Sequence, residues 1–148
     1  MENKLVEEWI NIEEYGIPEG EFIVTTFAQD CEGVKIILKD ERYVIKIFFD
    51  GIPVLLRNTV EGIRMRTWGE AQLKYHNPYF FRKKFFFEIE HSQLIKWCVE
   101  ESCGFYEGSE LKHYCIVTSE EMIDIVSTFK PLVEIIEAAD EWDDEDDE

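Results

Sequence analysis

At 148 residues the chain is long enough for one ordinary domain and too short for two. A composition that is 45% hydrophobic and 14% aromatic excludes a wholly disordered chain, and a core can form at this length without metal or disulfide staples. Fifteen Lys and Arg against 33 Asp and Glu leave a net charge of −18, which opposes binding to nucleic acid or anionic membranes and favours a basic protein partner.

The first residues, Met1-Glu2-Asn3-Lys4-Leu5-Val6-Glu7-Glu8, are acidic where an export signal needs a basic start and an apolar run. No uncharged apolar stretch reaches the length of a membrane span. The expectation is a cytoplasmic protein in which Cys31, Cys98, Cys103 and Cys115 are reduced and behave as small buried apolar residues.

Residues 1 to about 21 place Trp9, Ile10, Ile12 and Tyr15 for one apolar helical face or a packed arm, closed by Gly16, Pro18 and Gly20. A meander follows. Glu21 to Cys31 reads as a strand, Glu32-Gly33 as a tight turn, Val34 to Lys39 as a second strand and Asp40-Glu41 as a second turn. Arg42 to Phe49 alternates, with Tyr43, Ile45 and Ile47 on one face. Asp50-Gly51 then predicts a hairpin whose returning strand is Pro53 to Asn58.

Thr59 to Asn77 fits neither period cleanly, and Gly62 and Gly69 weaken a helix, so a strand or irregular segment is expected there. The Phe-rich run Tyr79 to Glu90 predicts a strand. Ser92 offers an N-cap to a helix through Leu94, Ile95, Trp97, Cys98 and Val99 that ends near Gly104. Leu111 to Thr118 reads as a strand. Thr118-Ser119-Glu120-Glu121 has the form of a capping box and predicts a helix with Met122, Ile123, Ile125 and Val126 on its apolar side, ended by Pro131. Leu132 to Ile136 would be a last strand. The class expected is α+β: mostly antiparallel sheet, about five to seven strands, with two or three helices in a single domain over residues 1–139. Residues 140–148 are acidic at eight of nine positions and predict a disordered tail, whose removal still leaves −10 on the body.

No motif names a reaction. Any of the 33 acids could pair by chance, no Gly-x-Ser-x-Gly elbow or phosphate-binding glycine loop occurs, and no cofactor motif is present. His113 and Cys115 would share one strand face, but Cys98 and Cys103 miss the spacing of a zinc knuckle, so no metal site is expected and His113 packs at a strand surface. Between Arg57 and Lys84 lies a basic island of net +5: Arg57, Arg64, Arg66, Lys74, Arg82, Lys83 and Lys84 against Glu61 and Glu70. With Tyr75, Tyr79, Phe80 and Phe81 it has the form of a nucleic-acid patch. The chain's overall charge opposes that use, and internal pairing, including a cluster of Arg57, Glu61 and Arg64, is the expectation.

Three stretches carry a resemblance: Asp30-Cys31-Glu32-Gly33; Val54-Leu55-Leu56-Arg57-Asn58-Thr59-Val60-Glu61; and His113-Tyr114-Cys115-Ile116-Val117-Thr118 running on to Ser127. Over residues 22 to 136 the chain resembles the small acidic immunity proteins encoded beside bacterial polymorphic toxins, in cell-wall-associated (WapA-type) neighbourhoods. That resemblance implies a non-enzymatic inhibitor binding a cognate basic toxin, commonly a nuclease. It defines no residue roles. Independently, the charge places candidate partner contacts at Trp142, Asp143, Asp144, Glu145, Asp146 and Asp147 of the tail and at Glu100 and Glu101. The alternatives are a small enzyme or a general interaction module with no toxin partner.

Overall fold

A computed structural model describes residues 6–138; the predicted tail, with Trp142 and Asp143 to Asp147, lies outside them. The described elements are β1 (Glu8–Asn11), β2 (Ile23–Asp30), β3 (Gly33–Lys39), β4 (Tyr43–Asp50), β5 (Leu55–Val60), a 3-10 turn (Glu61–Arg64), α1 (Met65–Lys74), β6 (Phe86–Glu90), α2 (Gln93–Glu101), a second 3-10 turn (Gly108–Glu110), β7 (Lys112–Val117), β8 (Glu121–Ser127) and β9 (Leu132–Glu137). The class is α+β, with more strands than the sequence predicts. All pairing is antiparallel, in a four-stranded sheet ordered β2-β3-β4-β9 and a five-stranded sheet ordered β1-β6-β7-β8-β5.

Alternation along the strands builds the layers. Ile36, Leu38, Ile45, Ile47 and Phe49 of the smaller sheet meet Phe86, Tyr114, Ile116, Ile123 and Ile125 of the larger one, and this interface is the main core. The opposite face of the larger sheet is covered twice over. Phe87, Cys115, Val117 and Met122 lie beneath Trp68 and Ala71 of α1, while Val126 lies beneath Leu94, Ile95, Cys98 and Val99 of α2. Because β7 and β8 are buried on both faces, their sequences read as near-continuous apolar runs, interrupted at His113 and Asp124, rather than alternating ones.

Several expectations are corrected by this arrangement. Asp50-Gly51 does turn the chain, but β5 does not return along β4. Pro53 lacks the N–H that a ladder needs, the Val54 N–H donates to Val126 O (2.8 Å), and β5 pairs with β8 in the other sheet, leaving the flank of β4 to β9. The capping-box sequence opens a strand rather than a helix. Thr118 Oγ1 accepts the N–H groups of Glu120 (3.3 Å) and Glu121 (3.1 Å), as it would at a helix start, yet here they close the β7–β8 hairpin. Thr59 to Asn77 contains the end of β5, the first 3-10 turn and α1. The helix is held by Trp68, Ala71 and Tyr75 at spacings of three and four, a stripe that Gly62 and Gly69 obscure. Only Phe86–Glu90 of the Phe-rich run is strand; Phe80 and Phe81 instead turn inward against Tyr75, Trp9 and Trp68. The N-terminal segment is a packed arm, β1, on the edge of the larger sheet.

Candidate functional site

Where the α1 and α2 clusters meet, the covered face of the larger sheet turns polar. Arg57 and Asp124 are directly paired across β5 and β8, and His113 and Cys115 stand on the neighbouring strand β7. Asp124 is fully buried, and its two oxygens divide their partners. Oδ1 lies 2.7 Å from His113 Nε2, while Oδ2 accepts from Arg57 Nε (3.0 Å) and Arg64 Nη1 (2.6 Å). Arg64 comes from the 3-10 turn before α1 and also reaches Thr59 Oγ1 (3.4 Å). On its far side His113 Nδ1 sits 2.6 Å from Ser92 Oγ. The Ser92 hydroxyl caps α2 by accepting the Ile95 N–H (3.0 Å), and the left-handed backbone of His91 (φ 56°) swings the chain from β6 into that cap. A proton on His113 Nε2 satisfies the whole array: Nε2–H donates to Asp124, and the serine hydroxyl donates to Nδ1.

Burial pushes the Asp124 carboxyl up, but it is outweighed by the hydrogen bond and charge of His113 and by Arg64 and Arg57, which together hold it well below the usual carboxylate range. Beside it, burial raises the Cys115 thiol strongly, and the Asp124 charge adds to the effect.

The array has the residue types of a nucleophile, a base and an orienting acid. Its electrostatics favour a structural role. Two guanidinium groups share the one carboxylate, so Asp124 is engaged as the anchor of an ion-pair cluster and not only as the partner of His113. An open groove of about 700 Å³ beside α2 is lined by Ser92 but by neither His113 nor Asp124. At the helix start the Gln93 N–H is already taken by Glu7 Oε2 (2.9 Å) and the Ile95 N–H by Ser92 itself. What the network does is tie α2, β5 and the α1 entry to one buried carboxylate.

This corrects two sequence expectations. His113 is buried rather than at a strand surface. Arg57 and Arg64 do share an internal ion-pair cluster, but the acid between them is Asp124, not Glu61. Neither motif nor spacing singles out Asp124; the signal for it is its place as a lone acid inside Met122-Ile123-Asp124-Ile125-Val126, because a carboxylate in an apolar run must find partners. Cys98 and Cys115 are buried as expected; Cys31 and Cys103 are exposed. Among the described residues no group of three or more His, Cys, Asp or Glu is arranged to hold a metal ion, and no helix is long and apolar enough to cross a membrane.

Glu100 and Glu101 occupy the exposed last turn of α2. Trp97 stands three and four residues before them, one helical turn away, with 52% of its surface exposed. Just past the helix, Cys103 (φ 54°) and Gly104 (φ 80°) reverse the chain and present Phe105, which is 80% exposed. The basic island is largely neutralised by the protein's own acids: Arg66 by Glu70, Lys74 by Glu8 and Arg82 by Glu21. Comparison with protein-family models, curated proteins and solved structures gives no match.

Proposed function

We propose that this protein is a non-enzymatic binder that neutralises a basic partner protein by stoichiometric contact, in the manner of the toxin-immunity proteins its sequence resembles. The observation that carries the reading is the end of α2, where two exposed aromatic rings, Trp97 and Phe105, accompany Glu100 and Glu101. Aromatic anchors rimmed by charge are the common composition of an energetic centre in a protein interface. A net charge of −18 would speed encounter with a basic surface and repel acidic competitors.

The test is capture by the immobilised full chain from lysate of its native host, at low and moderate salt, with captured proteins identified and their stoichiometry measured. One basic protein bound one-to-one, weakened by salt and weakened about tenfold or more by Trp97→Ala or by Glu100→Lys with Glu101→Lys, supports the reading. No partner, or equal capture by all variants, overturns it.

The 2.6 Å contact between Ser92 and His113 favours a second reading, a serine hydrolase. A fluorophosphonate probe separates the two readings. Labelling at Ser92 that is lost in His113→Ala would establish the hydrolase, whereas the binder leaves Ser92 unlabelled.

A further inference from the structure

One described surface runs against the acidity of the chain. Residues 19–21 and 77–84 face each other across an open groove of about 820 Å³, lined on its basic side by Arg82, Lys83 and Lys84 and on the other by Glu19, Gly20 and Glu21. Arg82 is paired with Glu21 (2.9 Å) and lies over the Tyr79 ring (5.5 Å from its centroid). Lys83 and Lys84 are exposed, and among the described residues neither ammonium has an acidic partner. The groove continues into a narrower slot of about 450 Å³, sharing Gly20, Glu21, Tyr79 and Arg82, with an apolar floor of Phe22, Trp68, Phe81 and Phe85. A ligand suited to both parts carries an aromatic ring for the slot and several negative charges for the lysines.

The chain supplies such a segment. Residues 140–148 read Asp-Glu-Trp-Asp-Asp-Glu-Asp-Asp-Glu. They follow β9, whose exit lies beside the groove. The Ala138 N–H donates to Arg42 O (2.9 Å), Arg42 Nη2 donates to Glu19 O (2.9 Å), and the Gly20 N–H donates to Lys83 O (3.0 Å). Ala138 is therefore one arginine side chain away from the Glu19–Gly20 lip. Trp142 is four residues further on, a reach of about 13 Å extended, and the residues after it add about 20 Å.

We infer that this groove is the docking site of the chain's own residues 140–148, with Trp142 in the apolar slot and the carboxylates that follow over Lys83 and Lys84. Docking on a preformed groove asks only for complementary side chains, here one aromatic ring and a run of carboxylates. Tethering gives it an effective concentration in the millimolar range, so a weak contact suffices. Docked, the tail hides its one aromatic residue and sets its carboxylates against Lys83 and Lys84, the two cations of the groove left over once Arg82 is paired with Glu21; a competing acidic peptide would displace it. No partner protein is needed, so the docking holds or fails independently of the function proposed above.

Zero-length carbodiimide cross-linking of the full chain tests this, with peptides of the monomer mapped by mass spectrometry. The expected cross-links join Lys83 or Lys84 to acids of residues 140–148 and fall about fivefold or more at high salt, as exposed charge pairs are screened. In a second measurement, acrylamide quenching of Trp142 is taken as the difference between the full chain and Trp142→Phe. It should show a shielded indole in the native chain and an accessible one in Lys83→Glu with Lys84→Glu. Both lysines are exposed, so that variant keeps its fold. Cross-links from the tail to Lys35, Lys39 or Lys46 on the outer face of the smaller sheet would overturn the inference. So would links found only between molecules in an isotopically mixed sample, or a Trp142 that is fully quenched in the native chain.

Discussion

Asp124 receives Arg64 at 2.6 Å, and that contact fastens the entry of α1 to β8 of the five-stranded sheet. The same carboxylate holds Arg57 on β5 and, through His113, Ser92 at the start of α2. Three segments far apart in sequence are thus registered by one acid. Hydrophobic burial alone would let α1 and α2 slide over an apolar face; a directional, fully bonded polar centre gives them a fixed seat.

Removing that acid should be costly. Asp124→Ala leaves two guanidinium groups and an imidazole facing a small apolar side chain, and breaking a buried pair in this way costs about 3–5 kcal/mol. Ser92→Ala removes only the helix cap and one neutral hydrogen bond, with an expected loss of about 1–2 kcal/mol. Urea unfolding at neutral pH measures both. An Asp124→Ala midpoint no lower than that of Ser92→Ala would show that the carboxylate does not organise the network.

Acid should erode the same contribution. The folded-state pKa of Asp124 lies below its unfolded value of about 4, so its stabilisation is complete above that pH and is lost progressively as the pH falls toward the folded pKa. The stability gap between the wild type and Asp124→Asn should therefore be constant near neutrality and narrow below about pH 4. Paired urea titrations across that range check the sign, and a gap that widens on acidification would contradict it. Glu121 works in the opposite sense: burial, and then the neighbouring Glu120, raise its pKa, so protonation favours the fold there.

The hairpins β2–β3 and β3–β4, the cap at Ser92 and the strand β9 are legible in the sequence because local signals and burial agree at those places. At Thr118 they conflict. A threonine accepting two following N–H groups serves a helix start and a hairpin turn equally, and only burial of Met122 to Val126 on both faces selects the strand. The change of sheet after Asp50 has a related cause, since Asp50-Gly51 bends the chain without closing the expected hairpin, and the strand that β5 does pair with, β8, begins more than 60 residues later. Ser92, His113 and Asp124 carry no shared spacing, because strand pairing and the β6–α2 turn bring them together.

Two glycines should respond in opposite directions. Gly33 opens β3 at φ 146°, and a Cβ there would fall 1.9 Å from Phe49 O, a backbone atom on the paired strand. Gly33→Ala must therefore distort the β3–β4 ladder, at a cost of about 2 kcal/mol or more. Gly69 sits inside α1 with nothing within 4 Å of its would-be Cβ, so Gly69→Ala should stabilise by about 0.5–1 kcal/mol. Thermal unfolding of the two variants reads both effects, and a stabilised Gly33→Ala would refute the close approach of β3 and β4.

Thiol chemistry should divide the cysteines into two pairs. Cys31 and Cys103 are exposed, whereas Cys98 and Cys115 are buried with their pKa values raised, Cys98 by burial and Cys115 by burial and then by the Asp124 charge. The thiolate is the reacting form, so both access and ionisation protect the second pair. Iodoacetamide on the native protein should modify Cys31 and Cys103 within minutes and leave the other two unmodified until urea opens the fold. Mass spectrometry of partly modified protein then gives the order of opening. Cys98 lies on the sheet-facing side of α2 and Cys115 at the centre of the larger sheet, so Cys98 should react first as α2 lifts away, with Cys115 following the global transition. In Asp124→Asn the two should react together, because the polar centre that holds the sheet face closed beneath both helices has lost its charge.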